Sequence, residues 1–242
     1  MTVKNLTDTS ADLYIYGEIV DNTDWKWDES DVMPDDVKNA LEQVDGLDEL
    51  NIYINSPGGS VFSGLAIYNM LRRNKAKKIV HIDGVAASMA SVIALVGDEV
   101  YMPSNAFMMI HKPLTIAIGN ANDFRKIADD LDTIESGLMQ AYEENLREDA
   151  DIEEVKGMVD DETWLTANEA TKYFNIEITE AVEVSASAKH LLKEYKNVPK
   201  SLVEEKQKPK KKLNLKQNDP QNKNNEELEK IKIQNELDLL NL

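Results

Sequence analysis

A lone serine lies within a run of small residues, Gly84-Val85-Ala86-Ala87-Ser88-Met89-Ala90, and a lone histidine closes the apolar run Phe107-Met108-Met109-Ile110-His111, just ahead of Pro113. A serine hydroxyl is a weak nucleophile at neutral pH. It needs a base within hydrogen-bond reach and donors for the oxyanion that forms on attack. Neutral near pH 7, His111 has the basicity to take the Ser88 proton and return it to a leaving amine. A third segment, Ile54-Asn55-Ser56-Pro57-Gly58-Gly59-Ser60-Val61, sets two glycines after an apolar strand, where bare backbone N–H groups can face a carbonyl oxygen. Each segment also has a purely structural explanation: Ser88 as the N-cap of a buried helix, Pro57-Gly58-Gly59 as a tight strand-to-helix turn. The glycine pair matches neither the phosphate loop of nucleotide triphosphatases nor the dinucleotide-binding pattern, which disfavours nucleotide binding. His81 sits inside Ile79-Val80-His81-Ile82 and reads as part of a strand, while His190 falls in a weakly patterned C-terminal stretch.

Elements must bring these three segments together. Leu13 to Val20 is apolar and β-prone, a buried strand, and Pro34 stands where a helix can begin at Asp35. Strands are expected at Leu50–Asn55, Lys78–Asp83, Glu99–Met102 and Ala106–His111. Helices are expected after Gly59 and over Ala87–Val96. Strand and helix in alternation indicate an α/β fold around a largely parallel sheet. From Asn122 to Glu148, Phe124, Ile127, Leu131, Ile134, Leu138, Tyr142 and Leu146 recur at helical spacing, giving one long amphipathic helix. It either packs on its own domain or projects to dock a neighbouring subunit. Thr166 with Glu169 three residues later forms a capping box for a short helix, and Ile176–Val184 reads as a closing strand.

The chain carries 27 Lys+Arg against 45 Asp+Glu, a net charge of −18 that repels phosphate backbones and anionic bilayers, so neither nucleic acid nor membrane is an expected partner. With no cysteine there is no thiolate nucleophile or disulfide, and three histidines supply metal sites poorly. No apolar run reaches the roughly 18 residues of a membrane span, and residues 1–12 are too polar for a signal-peptide core, so a cytoplasmic protein is expected. After about Ser185 the composition turns basic and then polar. Residues 185–225 read as a linker, and 226–242, where apolar positions return, as a short terminal helix or a frayed tail.

Taken together, Ile54-Asn55-Ser56-Pro57-Gly58-Gly59, Ala87-Ser88-Met89-Ala90 and Met109-Ile110-His111-Lys112-Pro113 resemble, in order and in approximate spacing, the proteolytic subunit of the Clp protease, the ClpP family. The likeness runs from about Tyr14 to Val184. It implies a crotonase-like α/β spiral of βαβ units with the long helix as a handle between subunits, and a serine protease domain over 13–184 behind a flexible segment 1–12. It further implies Ser88 as nucleophile, His111 as general base, and the N–H groups of Gly59 and Met89 as the oxyanion hole, with no metal and no cofactor. Homo-oligomeric rings, heptameric or stacked in pairs, follow from the same likeness.

One departure concerns the third triad member. Trp164-Leu165-Thr166-Ala167-Asn168-Glu169-Ala170 fits the family segment that follows the catalytic aspartate, and it puts Glu162 at that aspartate's position. A glutamate can still orient the imidazole, since that role needs only a carboxylate near the ring nitrogen. Asp161 is the second choice, and a merely structural acidic turn over Asp160–Glu162 the third. The N-terminal stretch and the long tail look more like the ClpP-related head-maturation proteases of tailed phages, which implies capsid or scaffold protein as substrate, in the host cytoplasm or the prohead. A housekeeping subunit served by an AAA+ unfoldase is the alternative, and any ATP dependence would then come from that partner. Three other classes remain open: a crotonase-type acyl-coenzyme A enzyme, a serine–lysine hydrolase, and a non-enzymatic assembly module.

Overall fold

Apolar runs punctuated by glycine and proline become strands that feed helices. In the computed structural model, which describes residues 1–181, 192, 195–199 and 202, the strands are β1 (Thr2–Lys4), β2 (Ser10–Ile19), β3 (Glu49–Gly59), β4 (Lys77–Ala87), β5 (Glu99–Pro103), β6 (Phe107–Ile110), β7 (Thr163–Thr166) and β8 (Glu177–Thr179). The helices are α1 (Pro34–Gln43), α2 (Val61–Arg73), α3 (Met89–Ala94), α4 (Ala121–Glu143), α5 (Ile152–Asp160) and α6 (Ala167–Ala170). The strands β2, β3, β4, β5 and β8 pair in parallel in that order, and α1, α2 and α3 fill the crossovers, as parallel pairing requires. This is the expected α/β architecture. Leu13, Ile15, Leu50, Ile52, Ile54, Val80 and Ile82 are fully buried under Ile67, Leu71 and Ile93 of the helices.

The strand β4 forks. Ile79–His81 pair with Glu99–Tyr101 of β5, whereas Val85–Ala87 pair with Phe107–Met109 of β6, which in turn pairs antiparallel with β7. The fork lays the ends of β4, β6 and β7 side by side, and those are the ends from which Ser88, His111 and Glu162 emerge.

Several elements differ from the sequence expectations. Residues 1–12, read as a flexible segment, carry an edge strand: Thr2–Lys4 pair with Asp12–Tyr14, and Lys4 Nζ stands 4.7 Å from the Tyr14 ring centroid. The long helix stops at Glu143 rather than Glu148. Beyond it the chain is recruited elsewhere: Leu146 bridges Phe174, and the Arg147 N–H donates to the Tyr173 carbonyl at 2.9 Å. Only Leu138, Met139, Ala141 and Tyr142 of α4 are buried, and Phe124 near its start is 50% exposed, so most of the helix projects from its own domain. Of the closing strand expected over Ile176–Val184, Glu177–Thr179 is strand among the described residues, and 182–184 lie outside them. Leu192, Tyr195, Val198 and Leu202, inside the segment read as a linker, pack on the folded domain. Apart from 192, 195–199 and 202, residues 185–225, including His190, and the terminal segment 226–242 lie outside the described residues. Among the described residues no helix is long and apolar enough to cross a membrane.

His81 occupies one rung of a ring ladder on the half-exposed sheet face. Tyr14, Tyr53, His81 and Tyr101 lie in register on four neighbouring strands, with centroids 4.7, 4.8 and 5.5 Å apart and planes 11°, 15° and 18° from parallel. That placement gives His81 a packing role, as its alternation with Val80 and Ile82 suggested.

Candidate active site

At the junction of β4 and α3, Ser88 adopts φ +53° and ψ −127°, a backbone conformation that costs a residue with a Cβ on the order of 1–3 kcal/mol. Its neighbours fix it there. The Ser88 N–H donates to the Met109 carbonyl at 2.8 Å, while the Ser88 carbonyl accepts from the Ser91 N–H at 2.9 Å and the Ser91 hydroxyl at 2.6 Å. Ser91 is fully buried and hydrogen-bonds at 2.8 Å to the hydroxyl of Tyr142, which α4 delivers to the core. Burial pushes the Tyr142 phenol up to about 12, with the Ser91 bond opposing, so it stays protonated. Although Ser88 stands at the N-cap position, its side chain caps no backbone N–H. The hydroxyl points elsewhere, to His111.

The His111 Nε2 lies 2.8 Å from Ser88 Oγ. Burial pushes the imidazole below its ordinary value of 6.5, and the Glu162 carboxylate acts in the opposite direction. A ring held neutral can accept a proton, and a nearby anion favours the imidazolium that results. The strand carrying His111 is tethered from outside. Lys112, next in the chain, pairs with Glu135 of α4 at 3.2 Å and with Asp160 of α5 at 2.7 Å. That engagement occupies the one lysine adjacent in sequence to the histidine.

Gly58 and Gly59 end β3 with φ +95° and +139°. A Cβ on Gly58 would stand 2.6 Å from the Ala87 carbonyl, 2.7 Å from Ser88 Cβ and 3.0 Å from Met89 N, so the glycine backbone lies directly against the serine and the N–H that follows it. A Cβ on Gly59 would meet the Ile19 carbonyl at 2.1 Å. Only glycine fits either position. Asp21 accepts hydrogen bonds from the Ser60 and Ser63 hydroxyls, tying the start of α2 to the end of β2 and holding the glycine loop from behind.

Glu162 sits in the turn between α5 and β7 at φ +49° and is partly buried, whereas Asp161 is exposed. Of the two, Glu162 is the carboxylate whose charge reaches His111. Its Oε1 also accepts the backbone N–H of Asn197 at 2.7 Å. Sequence reading missed this contact, along with Tyr195, Ser91 and Tyr142. The spacing of Leu192, Tyr195, Val198 and Leu202 within an otherwise polar stretch was the signal for the first two. A cleft of about 780 Å3 between α1 and α2, lined by residues such as Leu41, Met70 and Arg73, shares no residue with this cluster.

Residues 31–181, more than half of the chain, match the Clp protease family. The chain belongs to that family. Curated relatives include the ATP-dependent Clp protease proteolytic subunit of Bacteroides thetaiotaomicron, 34% identical over 135 residues covering 55% of this chain and 60% of the relative. The corresponding subunit of Bacteroides fragilis is 33% identical over 135 residues, 55% of this chain and 64% of the relative. The proteolytic subunit 1 of Salinibacter ruber is 32% identical over 136 residues, 55% of this chain and 57% of the relative. The chain thus spans between 57% and 64% of the length of these relatives.

Proposed function

We propose that this member of the Clp protease family is a serine endopeptidase in which Ser88 is the nucleophile, His111 the general base and Glu162 the orienting carboxylate. The observation that carries the proposal is the 2.8 Å contact between His111 Nε2 and Ser88 Oγ. Ser88 Oγ attacks the scissile carbonyl carbon as its proton passes to Nε2. The oxyanion is held by the N–H groups of Gly59 and Met89, which the approach of Gly58 to Ser88 and Met89 N supports. Collapse expels the amine, which takes the proton from His111. Water then attacks the acyl-serine by the same route in reverse, releasing the acid and restoring the hydroxyl. Glu162 stabilises the imidazolium of both steps without becoming protonated.

The test is hydrolysis of a fluorogenic peptide together with labelling by a fluorophosphonate. Wild type is expected to cleave and to label at Ser88, and Ser88→Ala and His111→Ala to do neither. Full hydrolysis by Ser88→Ala sinks the proposal, and a wild type that neither cleaves nor labels favours a crotonase-type or assembly role. Full hydrolysis by His111→Ala alone points to a lysine base, which the pairing of Lys112 with two carboxylates disfavours.

The substrates proposed are proteins, and the working form a homo-oligomeric ring in the cytoplasm. The projecting α4 and the exposed Leu114, Ile116 and Ile118 before it form an apolar ridge suited to a second copy of the chain. Two versions of the biology divide here. We favour capsid or scaffold maturation in a phage prohead, because residues 1–12 and the long tail after Ser185 look more like the phage head-maturation proteases than like the housekeeping subunits. The relatives, ATP-dependent Clp protease proteolytic subunits, favour the second, a subunit fed by an ATP-dependent unfoldase. Cleavage of assembled scaffold protein without ATP supports the first, and cleavage of folded protein only with an AAA+ ATPase and ATP supports the second.

A further inference from the structure

We infer that Asn197 is a positioning residue for the Glu162 carboxylate, carried by a strap that Tyr195 anchors across the candidate site. The inference rests on the serine–histidine–glutamate assignment above and extends it to a part of the chain beyond the family match, which ends at residue 181.

The strap meets all three arms of the site. Leu192, Tyr195, Val198 and Leu202 form one apolar cluster with Val85 and Ala87 of β4, Met109 of β6 and Trp164 of β7. These are the strand ends that carry Ser88, His111 and Glu162. The Tyr195 hydroxyl donates to the Pro57 carbonyl at 2.6 Å, on the loop that holds Gly58 and Gly59. Its ring meets the imidazole of His111 edge-on, at 5.3 Å between centroids and 83° between planes. Two residues on, the Asn197 N–H donates to Glu162 Oε1 at 2.7 Å, while its Nδ2 donates to the carbonyls of Asp161 at 2.9 Å and Glu162 at 3.1 Å.

A glutamate needs such help more than an aspartate would. The extra methylene adds a rotor, so the carboxylate wanders further from the ring unless something holds it. One bond to a carboxylate oxygen and two to the flanking carbonyls restrain both the side chain and the left-handed turn from which it springs. The groups facing His111 are then the Ser88 hydroxyl from the β4–α3 junction, the Glu162 carboxylate from the α5–β7 turn and the Tyr195 ring from the strap. Lys112 follows it in the chain, with its charge taken up by Glu135 and Asp160.

The experiment compares full-length wild type, Asn197→Pro, Glu162→Gln and the double variant in peptide hydrolysis across pH. Asn197→Ala, which keeps the N–H, and Ser88→Ala complete the set. Asn197→Pro deletes the donor to Glu162. It is expected to lower kcat roughly tenfold or more with KM little changed, since misplacing a catalytic group costs turnover rather than binding. The acidic limb of the rate should move to lower pH, because the carboxylate no longer sits where it favours imidazolium. Asn197→Ala should lose less. In the Glu162→Gln background Asn197→Pro should cost nothing further, the signature of two residues acting through one interaction. Additive losses, or an acidic limb that stays in place or moves up, overturn the inference. So does faster hydrolysis by Asn197→Pro, which would mean that the strap covers the site rather than supports it. Hydrolysis retained in Ser88→Ala, or unaltered in Glu162→Gln, instead removes the underlying triad and the inference with it.

Discussion

Replacing Gly58 by alanine tests the geometry of the site at its tightest point. The new methyl would sit 2.6 Å from the Ala87 carbonyl oxygen, 2.7 Å from Ser88 Cβ and 3.0 Å from Met89 N. Two of these are backbone atoms that cannot swing aside. The left-handed φ of +95° adds a penalty of about 1–2 kcal/mol for any residue with a Cβ. Relieving the overlap by shifting β3 against β4 costs a further ~1–3 kcal/mol. A total of about 2–5 kcal/mol corresponds, at roughly 2–4 °C per kcal/mol for a domain of this size, to a melting temperature lowered on the order of 10 °C. Activity should suffer more than stability, because the shift falls on Ser88 and on the N–H beside it; a displacement near 1 Å costs about a hundredfold in turnover. Thermal melts with fluorophosphonate labelling rates measure the two effects. An alanine variant that melts within about 2 °C of wild type and labels at the wild-type rate would refute the close approach of Gly58 to Ser88, and with it the placing of the oxyanion donors.

Other outcomes follow from the same geometry. His111 is held below its ordinary value of 6.5 by burial, so peptidase activity should persist to a pH below 6.5 and fall as the ring protonates. The linked stability effect has the same sense. The unfolded chain takes up the proton first, so stability is full above 6.5 and declines as pH drops from there toward the folded value, a slope that His111→Ala should reduce in urea titrations across pH, the buried His81 supplying a share of the same sign. Ser91→Ala deletes a donor to the Ser88 carbonyl and strands the buried Tyr142 hydroxyl. A loss of about 1–3 kcal/mol in chemical denaturation is expected, and Ser91→Ala with Tyr142→Phe should recover part of it. Ile116→Asp with Ile118→Asp, at positions 95% exposed or more, should leave the melting temperature of the subunit nearly unchanged but reduce its mass in sedimentation if the apolar ridge holds copies together.

The parallel sheet was legible in the sequence because its strands bury aliphatic residues on one face and line the half-exposed other with rings such as Tyr14, Tyr53 and Tyr101, so they read as apolar, β-prone runs. The meeting of Ser88, His111 and the glycine pair was legible too, since all three stand at strand ends of one sheet. Local pattern failed where distant chain segments decide the outcome. The helix of Ile152–Asp160 was passed over although Asp151 caps it and Val155 and Val159 share its buried face. The run through Leu146 keeps helical spacing, yet the Tyr173 carbonyl takes the Arg147 N–H and the helix ends early. The largest miss, the docking of Leu192, Tyr195, Val198 and Leu202, arises because charged and polar residues separate the apolar ones in that stretch of sequence. Composition averaged over such a stretch hides four well-spaced side chains that find a shared hollow beside Met109 and Trp164.

The forked strand has a consequence for how such a chain tolerates change. Its first half answers to one neighbour and its second half to another, so the nucleophile's place is decided by ladder register and not by the length of any loop. Insertions at the surface, new termini or an altered handle leave that register untouched, whereas one residue added near Gly84 would rotate the second half to the opposite face and carry Ser88 away from His111. Variation should therefore gather at the periphery, with the middle of this one strand fixed in length.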